Sequence, residues 1–199
     1  MKKYLVGLLF LMSFVVVAQE KTILTSKEYQ DHLNKEYADS ISSPLTKEDL
    51  AQFKGLDFFS ITDKFIVEAT FVRIKERKYF EMKTTTARKP KYKVYGKLQF
   101  QIEGKSFELF VYQSQDLKKK KGYEDYLFLP FTDYTNGVES YGAGRYLDFR
   151  IPKTDKVVID FNQAYNPYCA YNKKYSCPIV PEENDLKIEI RAGVKKFHD

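Results

Sequence analysis

Three carboxylic acids in the C-terminal half of the chain have the side-chain chemistry for acid–base catalysis. Asp133, Asp160 and Glu183 are the candidate catalytic residues, because the two histidines, His32 and His198, lie near opposite ends of the sequence. A histidine-based triad is therefore unconvincing, and proton transfer would fall on carboxylates or tyrosines. Each carboxylate also has a structural interpretation as a turn residue, a salt-bridge partner or a cap. The sequence leaves both interpretations open.

Arg145 is the candidate for binding an anion. It follows Tyr141-Gly142-Ala143-Gly144, whose two glycines allow a tight turn and the close approach of another group. A guanidinium at such a turn could hold a carboxylate or phosphate with two parallel hydrogen bonds. Alternatively, Arg145 forms an internal salt bridge with Asp133 or Asp160. The glycine pattern is not a dinucleotide-binding motif, because no helical pattern follows it.

The segment DFNQAYNPYCAYNKKYSCPIVPEEND, residues 160–185, is rich in asparagine and tyrosine. These residues offer hydrogen bonds together with flat apolar faces, which suit a pocket for a polar small molecule. Alternatively, the asparagines satisfy the backbone of their own loop. The candidate ligand-binding residues that join Arg145 are Tyr141, Tyr146, Asn162, Tyr165 and Asn166.

Cys169 and Cys177 are the only cysteines of the chain. In an oxidising compartment they would form a disulfide, which would contribute about 2.5 kcal/mol by restricting the unfolded chain. Seven residues separate them, whereas a redox-active pair usually has two intervening residues. No further ligands with metal-binding spacing are present, so we predict no metal and no cofactor.

The N-terminus has the pattern of a secretory signal peptide. Lys2 and Lys3 precede an almost unbroken apolar run over residues 5–17, which ends in small residues. We predict a signal peptide over residues 1–18 and a mature chain from Gln19, exported to the periplasm or out of the cell. An uncleaved anchor is the alternative. After cleavage no transmembrane segment is expected.

Composition predicts one β-rich domain. The mature chain of about 180 residues suits a single domain, and 16 tyrosines and 16 phenylalanines favour strands. The formal net charge of the full chain is +6, and Lys118–Lys121 form a run that could attract an anion or simply be a solvated loop. No nucleic-acid-binding pattern is present. We expect a helical segment over residues 19–56 and a β-rich domain over residues 57–199.

The helical segment shows a clear period. Tyr29, Leu33, Tyr37 and Ile41 recur every four residues and predict one helix, which a capping box of Thr25 and Glu28 would start. A second, shorter helix is predicted to start at Thr46 and to end at Gly55.

From residue 58 the hydrophobic period changes to two, which indicates strands. Lys97–Gln113 reads as a hairpin that turns at Glu103-Gly104-Lys105. The other predicted strands are Phe65–Val72, Asp125–Phe131, Tyr146–Ile151, Lys156–Phe161 and Asp185–Arg191. The predicted fold is mainly β, an antiparallel β-sandwich or open barrel with one or two short N-terminal helices.

Two segments, residues 127–149 and 157–193, carry a resemblance to a known family. Their marked elements include Tyr141-Gly142-x-Gly144-Arg145-Tyr146 and Asn162-x-Ala164-Tyr165-Asn166-Pro167-x-Cys169. Together they resemble the bacterial domain-of-unknown-function family 1684, and residues 43–61 are similar to the start of its exported members. Members of that family tend to end in Ala-Gly-Glu-Lys, whereas Val194 stands here in place of the glutamate. The resemblance implies no established activity.

Three functional hypotheses follow. The first is an exported, non-catalytic protein that binds a small polar or anionic ligand where residues 131–146 meet residues 160–184. The second is a hydrolase-like or lyase-like enzyme that uses Asp133 or Asp160 as acid or base and Arg145 for charge stabilisation. The third is a structural protein of the cell envelope, which would expose an apolar patch elsewhere.

Overall fold

The computed structural model describes residues 24–75 and 78–198. The predicted signal peptide, residues 1–18, lies outside the described residues. Within the described part of the chain, a seven-stranded antiparallel sheet curls into a half-barrel, with two α-helices before it. This confirms the prediction of a mainly β fold with one or two short N-terminal helices.

The helices are α1 (Ser26–Ala38) and α2 (Lys47–Gln52). The strands are β1 (Ile66–Arg73), β2 (Phe80–Glu81), β3 (Lys91–Ile102), β4 (Lys105–Ser114), β5 (Tyr126–Phe131), β6 (Arg145–Arg150) and β7 (Lys156–Asp160). The sheet order is β6-β5-β4-β3-β1-β7, and β2 pairs with the first residues of β3. Neither helix of the described residues has the length and apolar composition that a membrane span requires.

The period of two places a continuous apolar layer on the inner face of the sheet. Leu98 pairs with Leu109, and Val67 pairs with Ile159, so that these side chains meet on one face. That face is covered by Phe161 and by apolar residues of the C-terminal segment. A second cluster lies on the outer face and contains Met82, Tyr92, Tyr112, Phe128 and Tyr146.

The hairpin between β3 and β4 turns at the predicted residues. Glu103 and Gly104 have φ values of 50° and 76°, so both central positions of the turn are left-handed. A two-residue turn of this kind matches the right-handed twist of the flanking strands.

Helix α1 begins at the predicted capping box and ends before Ile41, the last residue of the predicted apolar stripe. The Thr25 side chain accepts a hydrogen bond from the Glu28 amide, and the Glu28 carboxylate accepts one from the Thr25 amide. The helix stops at Ala38, and Ile41 is 94% exposed, so its assignment to the buried helical stripe was wrong. The reason is a turn in which the Asp39 side chain accepts from the Ile41 amide.

Helix α2 is capped by Thr46, which accepts a hydrogen bond from the Asp49 amide at 3.1 Å. It ends at Gln52 rather than at Gly55. Leu45 is buried in a cluster that contains residues of α1 and Val194, and Leu50 of α2 packs against this cluster. Val194 therefore fills an apolar site beside the helices.

The predicted strand over residues 185–191 is absent, which corrects that expectation. Residues 184–188 run beside residues 132–134, where the Leu186 amide donates to the Thr132 carbonyl at 2.8 Å and the Tyr134 amide donates to the Ile188 carbonyl at 3.0 Å. These contacts give an isolated parallel bridge at Asp185 and no strand, and further on the carbonyl oxygens of Ile190 and Ala192 accept hydrogen bonds from Arg145. The segment covers the inner face of the sheet as an irregular chain.

Gly193 is where this C-terminal segment comes closest to the rest of the core. Its φ is 78°, and a Cβ atom there would overlap the carbonyl oxygen of Ala164 and lie 2.8 Å from the Ala164 Cβ atom. Gly137 has a similar φ of 82°, but a Cβ atom there would have no neighbour within 4 Å.

We predict that Gly193→Ala destabilises the protein more than Gly137→Ala does. Gly137→Ala adds only the left-handed strain of about 1–2 kcal/mol, whereas Gly193→Ala adds a steric clash with backbone and should cost at least about 2 kcal/mol more. Urea unfolding followed by circular dichroism measures the difference. Equal free energies of unfolding for the two variants would contradict the close approach.

Candidate functional site

Arg145 lies at the start of β6 and is fully buried, with 0% of its side chain exposed. Its Nη2 atom is 2.8 Å from Asp133 Oδ2 and 2.7 Å from the Ile190 carbonyl oxygen, and Nη1 donates to the Ala192 carbonyl. The Phe131 ring packs against the guanidinium, with 5.3 Å between the guanidinium carbon and the ring centroid. Burial lowers the pKa of Arg145, and the charge of Asp133 opposes that change.

This geometry is the internal salt bridge to Asp133, and both of its residues lie in the first marked segment. The hydrogen bonds from Arg145 to the carbonyl groups of Ile190 and Ala192 join that segment to the second. Because protein groups enclose the guanidinium, it presents no surface to an external anion. We therefore do not assign ligand binding to Arg145.

The three candidate catalytic carboxylates are also bound by protein groups. Asp133 Oδ1 accepts from the amides of Thr135 and Ile190 at 2.8 and 3.2 Å. Asp160 Oδ1 accepts from the Asn162 amide, and its Oδ2 accepts from the Ser26 hydroxyl at 2.6 Å, which ties β7 to α1.

Glu183 Oε1 accepts from the hydroxyl of Tyr112 at 2.8 Å. These three sites are separate from one another, and the structure does not bring them together around a shared cavity.

The two candidate asparagines are fully buried and have structural contacts. The Asn162 side chain donates to the Thr62 carbonyl and accepts from the Thr62 amide, both at 3.1 Å. Asn166 donates to the Lys195 carbonyl at 2.9 Å. Both side chains therefore tie the backbone of the second segment to neighbouring segments.

Tyr146 and Tyr165 are placed differently, because both line a cavity of about 450 Å³ on the outer face of the sheet. Nine of the chain's 16 tyrosines line this cavity, which we call the tyrosine pocket. They are Tyr29, Tyr37, Tyr92, Tyr123, Tyr126, Tyr146, Tyr165, Tyr168 and Tyr175. Helix α1, strands β5 and β6 and the loop of residues 165–178 form its walls.

Two carboxylates organise the hydroxyl groups of the tyrosine pocket. Asp148 Oδ1 accepts from Tyr126 at 2.8 Å and from Tyr165 at 2.7 Å, and Glu36 Oε1 accepts from Tyr168 at 3.2 Å. Desolvation, followed by the charge of Asp148, raises the pKa of Tyr126 well above its usual value. These phenols therefore stay neutral and act as hydrogen-bond donors.

Sequence reasoning missed Asp148, Glu36 and Tyr126. Strand alternation could have indicated Asp148 and Tyr126. Asp148 lies on the same face of β6 as Tyr146, and Tyr126 and Phe128 are aromatic on the face of β5 where solvated positions would be polar. Glu36 carries no comparable signal, because only the packing of α1 brings it to the pocket.

The two cysteines lie side by side as free thiols beside the tyrosine pocket, which Cys177 lines. The Cys169 amide donates to Cys177 Sγ at 3.1 Å, and Cys169 Sγ is 3.8 Å from the Tyr141 hydroxyl. Hydrogen bonding from Cys177 is the largest effect that lowers the pKa of Cys169, to about 6. The pKa of Cys177 is raised, first by its hydrogen bond to Cys169 and then by burial. The disulfide stays a prediction.

A family model described as "Protein of unknown function (DUF1684)" matches residues 51–195. The chain belongs to the DUF1684 family. It is also similar to an uncharacterized protein of Haloarcula marismortui, whose structure was solved by NMR in solution. The two chains are 30% identical, the match covers 85% of this chain and 91% of the other, and the TM-score is 0.66. No curated protein matches this chain.

The matched range contains most of both structural features described above. The buried Arg145–Asp133 pair lies wholly inside it, and so do the pocket residues of β5, β6 and the loop of residues 165–178. Helix α1, which supplies Tyr29 and Glu36 to the tyrosine pocket, precedes it. In this member of the DUF1684 family, the pocket is therefore completed by a segment outside the matched range.

We predict that Asp133→Asn strongly destabilises the protein, because it leaves the buried Arg145 without a counter-charge. Breaking one side of such a pair costs about 3–5 kcal/mol. The matched control is Asp125→Asn, which removes the partner of Arg150 in a pair where the Asp125 side chain is 55% exposed, and which should cost at most about 1 kcal/mol. Urea unfolding measures both, and a small loss for Asp133→Asn would refute the assigned role.

We predict that, in the reduced protein, iodoacetamide modifies Cys169 much faster than Cys177. The rate of Cys169 modification should rise with pH around a midpoint near 6, because the thiolate is the nucleophile. Peptide mass spectrometry across a pH series measures both sites. The control Cys177→Ala removes the hydrogen-bond donor and should move the Cys169 midpoint upward towards that of an ordinary thiol. Equal rates at both cysteines would contradict the asymmetry.

Proposed function

We propose that this member of the DUF1684 family binds a small polar ligand in the tyrosine pocket. The observation that carries the proposal is the cavity itself, of about 450 Å³, whose walls combine tyrosine rings with carboxylate groups. Small-molecule sites in proteins have this character: a concave, largely aromatic surface of roughly 300–1,000 Å³ with a few placed polar groups.

The construction of the pocket also supports binding. Tyr126 and Tyr165 come from separate parts of the chain, and both are oriented by hydrogen bonds to Asp148. The Tyr146 hydroxyl donates to the Pro178 carbonyl, which fixes its ring against the loop that holds the cysteines. Side chains held in this way lose little additional freedom when a ligand binds, which favours affinity.

The catalytic hypothesis has no comparable support. Asp133 and Asp160 each accept hydrogen bonds from backbone amides and from neighbouring side chains, and neither lines the tyrosine pocket. We therefore propose binding as the function.

We further propose that the protein is exported after cleavage before Gln19, and that Cys169 and Cys177 then form a disulfide. The N-terminal sequence pattern supports export, and the adjacency of the two thiols supports pairing. Because Cys177 lines the pocket, the disulfide would restrain one of its walls.

We predict that the protein purified from the exported fraction carries a ligand. Native mass spectrometry should show additional mass that disappears on denaturation, and the denatured mass should equal that of residues 19–199 less two hydrogen atoms. Tyr165→Phe should lower ligand occupancy, because it removes a hydroxyl that meets Asp148 while keeping the ring.

The matched control is Tyr134→Phe, since Tyr134 is an exposed tyrosine outside the pocket. Unchanged occupancy in Tyr165→Phe would place the ligand elsewhere. If the native protein carries no extra mass, NMR titration with a library of small polar compounds replaces that readout. Shifts that map away from the pocket, or no shifts at all, would reject the proposal.

A further inference from the structure

The charged groups that line the tyrosine pocket are all acidic. Glu36 and Asp148 line it, and no lysine, arginine or histidine does so among residues 24–75 and 78–198. Their hydroxyl partners are neutral, because desolvation and then the charge of Glu36 raise the pKa of Tyr168 to about 12. A cavity that is lined by two carboxylates and by no basic group attracts positive charge and repels anions.

The basic groups next to the pocket are engaged by other protein groups. Arg88 donates from Nη2 to the carbonyl oxygen of Ser176, a lining residue, at 2.8 Å and from Nε to its hydroxyl oxygen at 3.1 Å. Arg150 lies two residues after Asp148, but its Nη1 atom is 2.6 Å from Asp125 Oδ1 and also donates to the Gly122 carbonyl. The Lys174 ammonium lies 5.0 Å from the ring centre of Tyr175, which lines the pocket, although Lys174 itself does not. The Lys118–Lys121 run begins next to Leu117, which lines the pocket, but none of these lysines does.

The ring arrangement suits a compact cation. Tyr146 and Tyr165 stand almost perpendicular, with an interplanar angle of 87° and centroids 6.0 Å apart, and Tyr168 and Tyr175 are tilted at 57° and 5.2 Å. Rings at such angles can present several faces to one enclosed group. An aromatic face carries negative electrostatic potential, and such cages recognise ammonium groups.

We propose that the tyrosine pocket binds a small organic cation of the alkylammonium class, held between tyrosine faces and the carboxylates of Asp148 and Glu36. This proposal rests on the function proposed above and names the ligand class for that site. It replaces the anionic ligand expected from the sequence. The hydroxyl groups of Tyr126 and Tyr165 both point to one oxygen of Asp148, so this carboxylate is already fixed in place for the cation.

The test compares choline with 3,3-dimethyl-1-butanol, which has the same shape but no charge. Isothermal titration calorimetry measures affinity, and two-dimensional NMR of the labelled protein locates the site. We expect choline to bind with shifts at Tyr165 and Asp148, and the neutral analogue to bind at least about tenfold more weakly. Asp148→Asn keeps the shape and the hydrogen-bond acceptor of the side chain, so its loss of charge should weaken choline binding by about tenfold or more.

Asp155→Asn is the matched control, because it makes the same change in net charge at an exposed site outside the pocket. It should leave choline affinity unchanged. Equal binding of choline and its neutral analogue in the pocket would overturn the cation proposal while supporting the site as a ligand pocket. Absence of choline binding, equal affinity in Asp148→Asn, or phosphate binding in the same pocket would overturn the cation proposal. If choline does not bind, and native mass spectrometry and NMR also show no ligand in the pocket, the proposed binding function fails together with the cation proposal.

Discussion

The ion pair of Arg145 with Asp133 is the constraint on which the rest of the structure depends. A buried guanidinium needs a counter-charge and hydrogen-bond acceptors, and this one takes its acceptors from Asp133 and from the carbonyl groups of Ile190 and Ala192. The guanidinium and its acceptors thus come from three places in the sequence. Their contacts hold residues 190–192 against the inner face of the sheet, in a segment that is irregular although its sequence alternates like a strand.

Strand β6 connects this interior constraint to the pocket. Successive side chains of a strand point to opposite faces, so Arg145 and Leu147 face the core while Tyr146 and Asp148 face outward. The same six residues thus carry the buried charge on one face and part of the tyrosine pocket on the other. If the pairing of β6 shifted by one residue, its inward-facing and outward-facing side chains would change places, and Arg145 would leave its buried partner. The buried ion pair therefore fixes which side chains of β6 line the pocket.

Local signals made much of the fold predictable from the sequence. The capping box at Thr25, the left-handed turn at Glu103-Gly104 and the alternation along the strands each depend on residues close in the chain. The pocket could not be derived in the same way. Asp148 becomes a binding candidate only when Tyr165 meets it across the fold. Near the end of the strand predicted over residues 185–191, the Ile190 carbonyl bonds to the distant Arg145 and not to a neighbouring strand. Long-range polar contacts, which hydrophobic periods do not encode, set the surroundings of Asp148 and of the C-terminal segment.

The charge of the ligand was also hard to predict from the sequence. The chain has a formal net charge of +6, and the expectation of an anionic ligand depended on Arg145, whose guanidinium is buried against Asp133. A ligand in a cavity, however, experiences chiefly the groups that line it, because the Coulomb energy falls with distance and salt screens exposed charges that are more than about 8–10 Å apart. Charges spread over the rest of the surface therefore contribute little, whereas Asp148 and Glu36 line the cavity itself. The sign of a site is therefore set by its lining, even when the sign of the whole protein is the opposite.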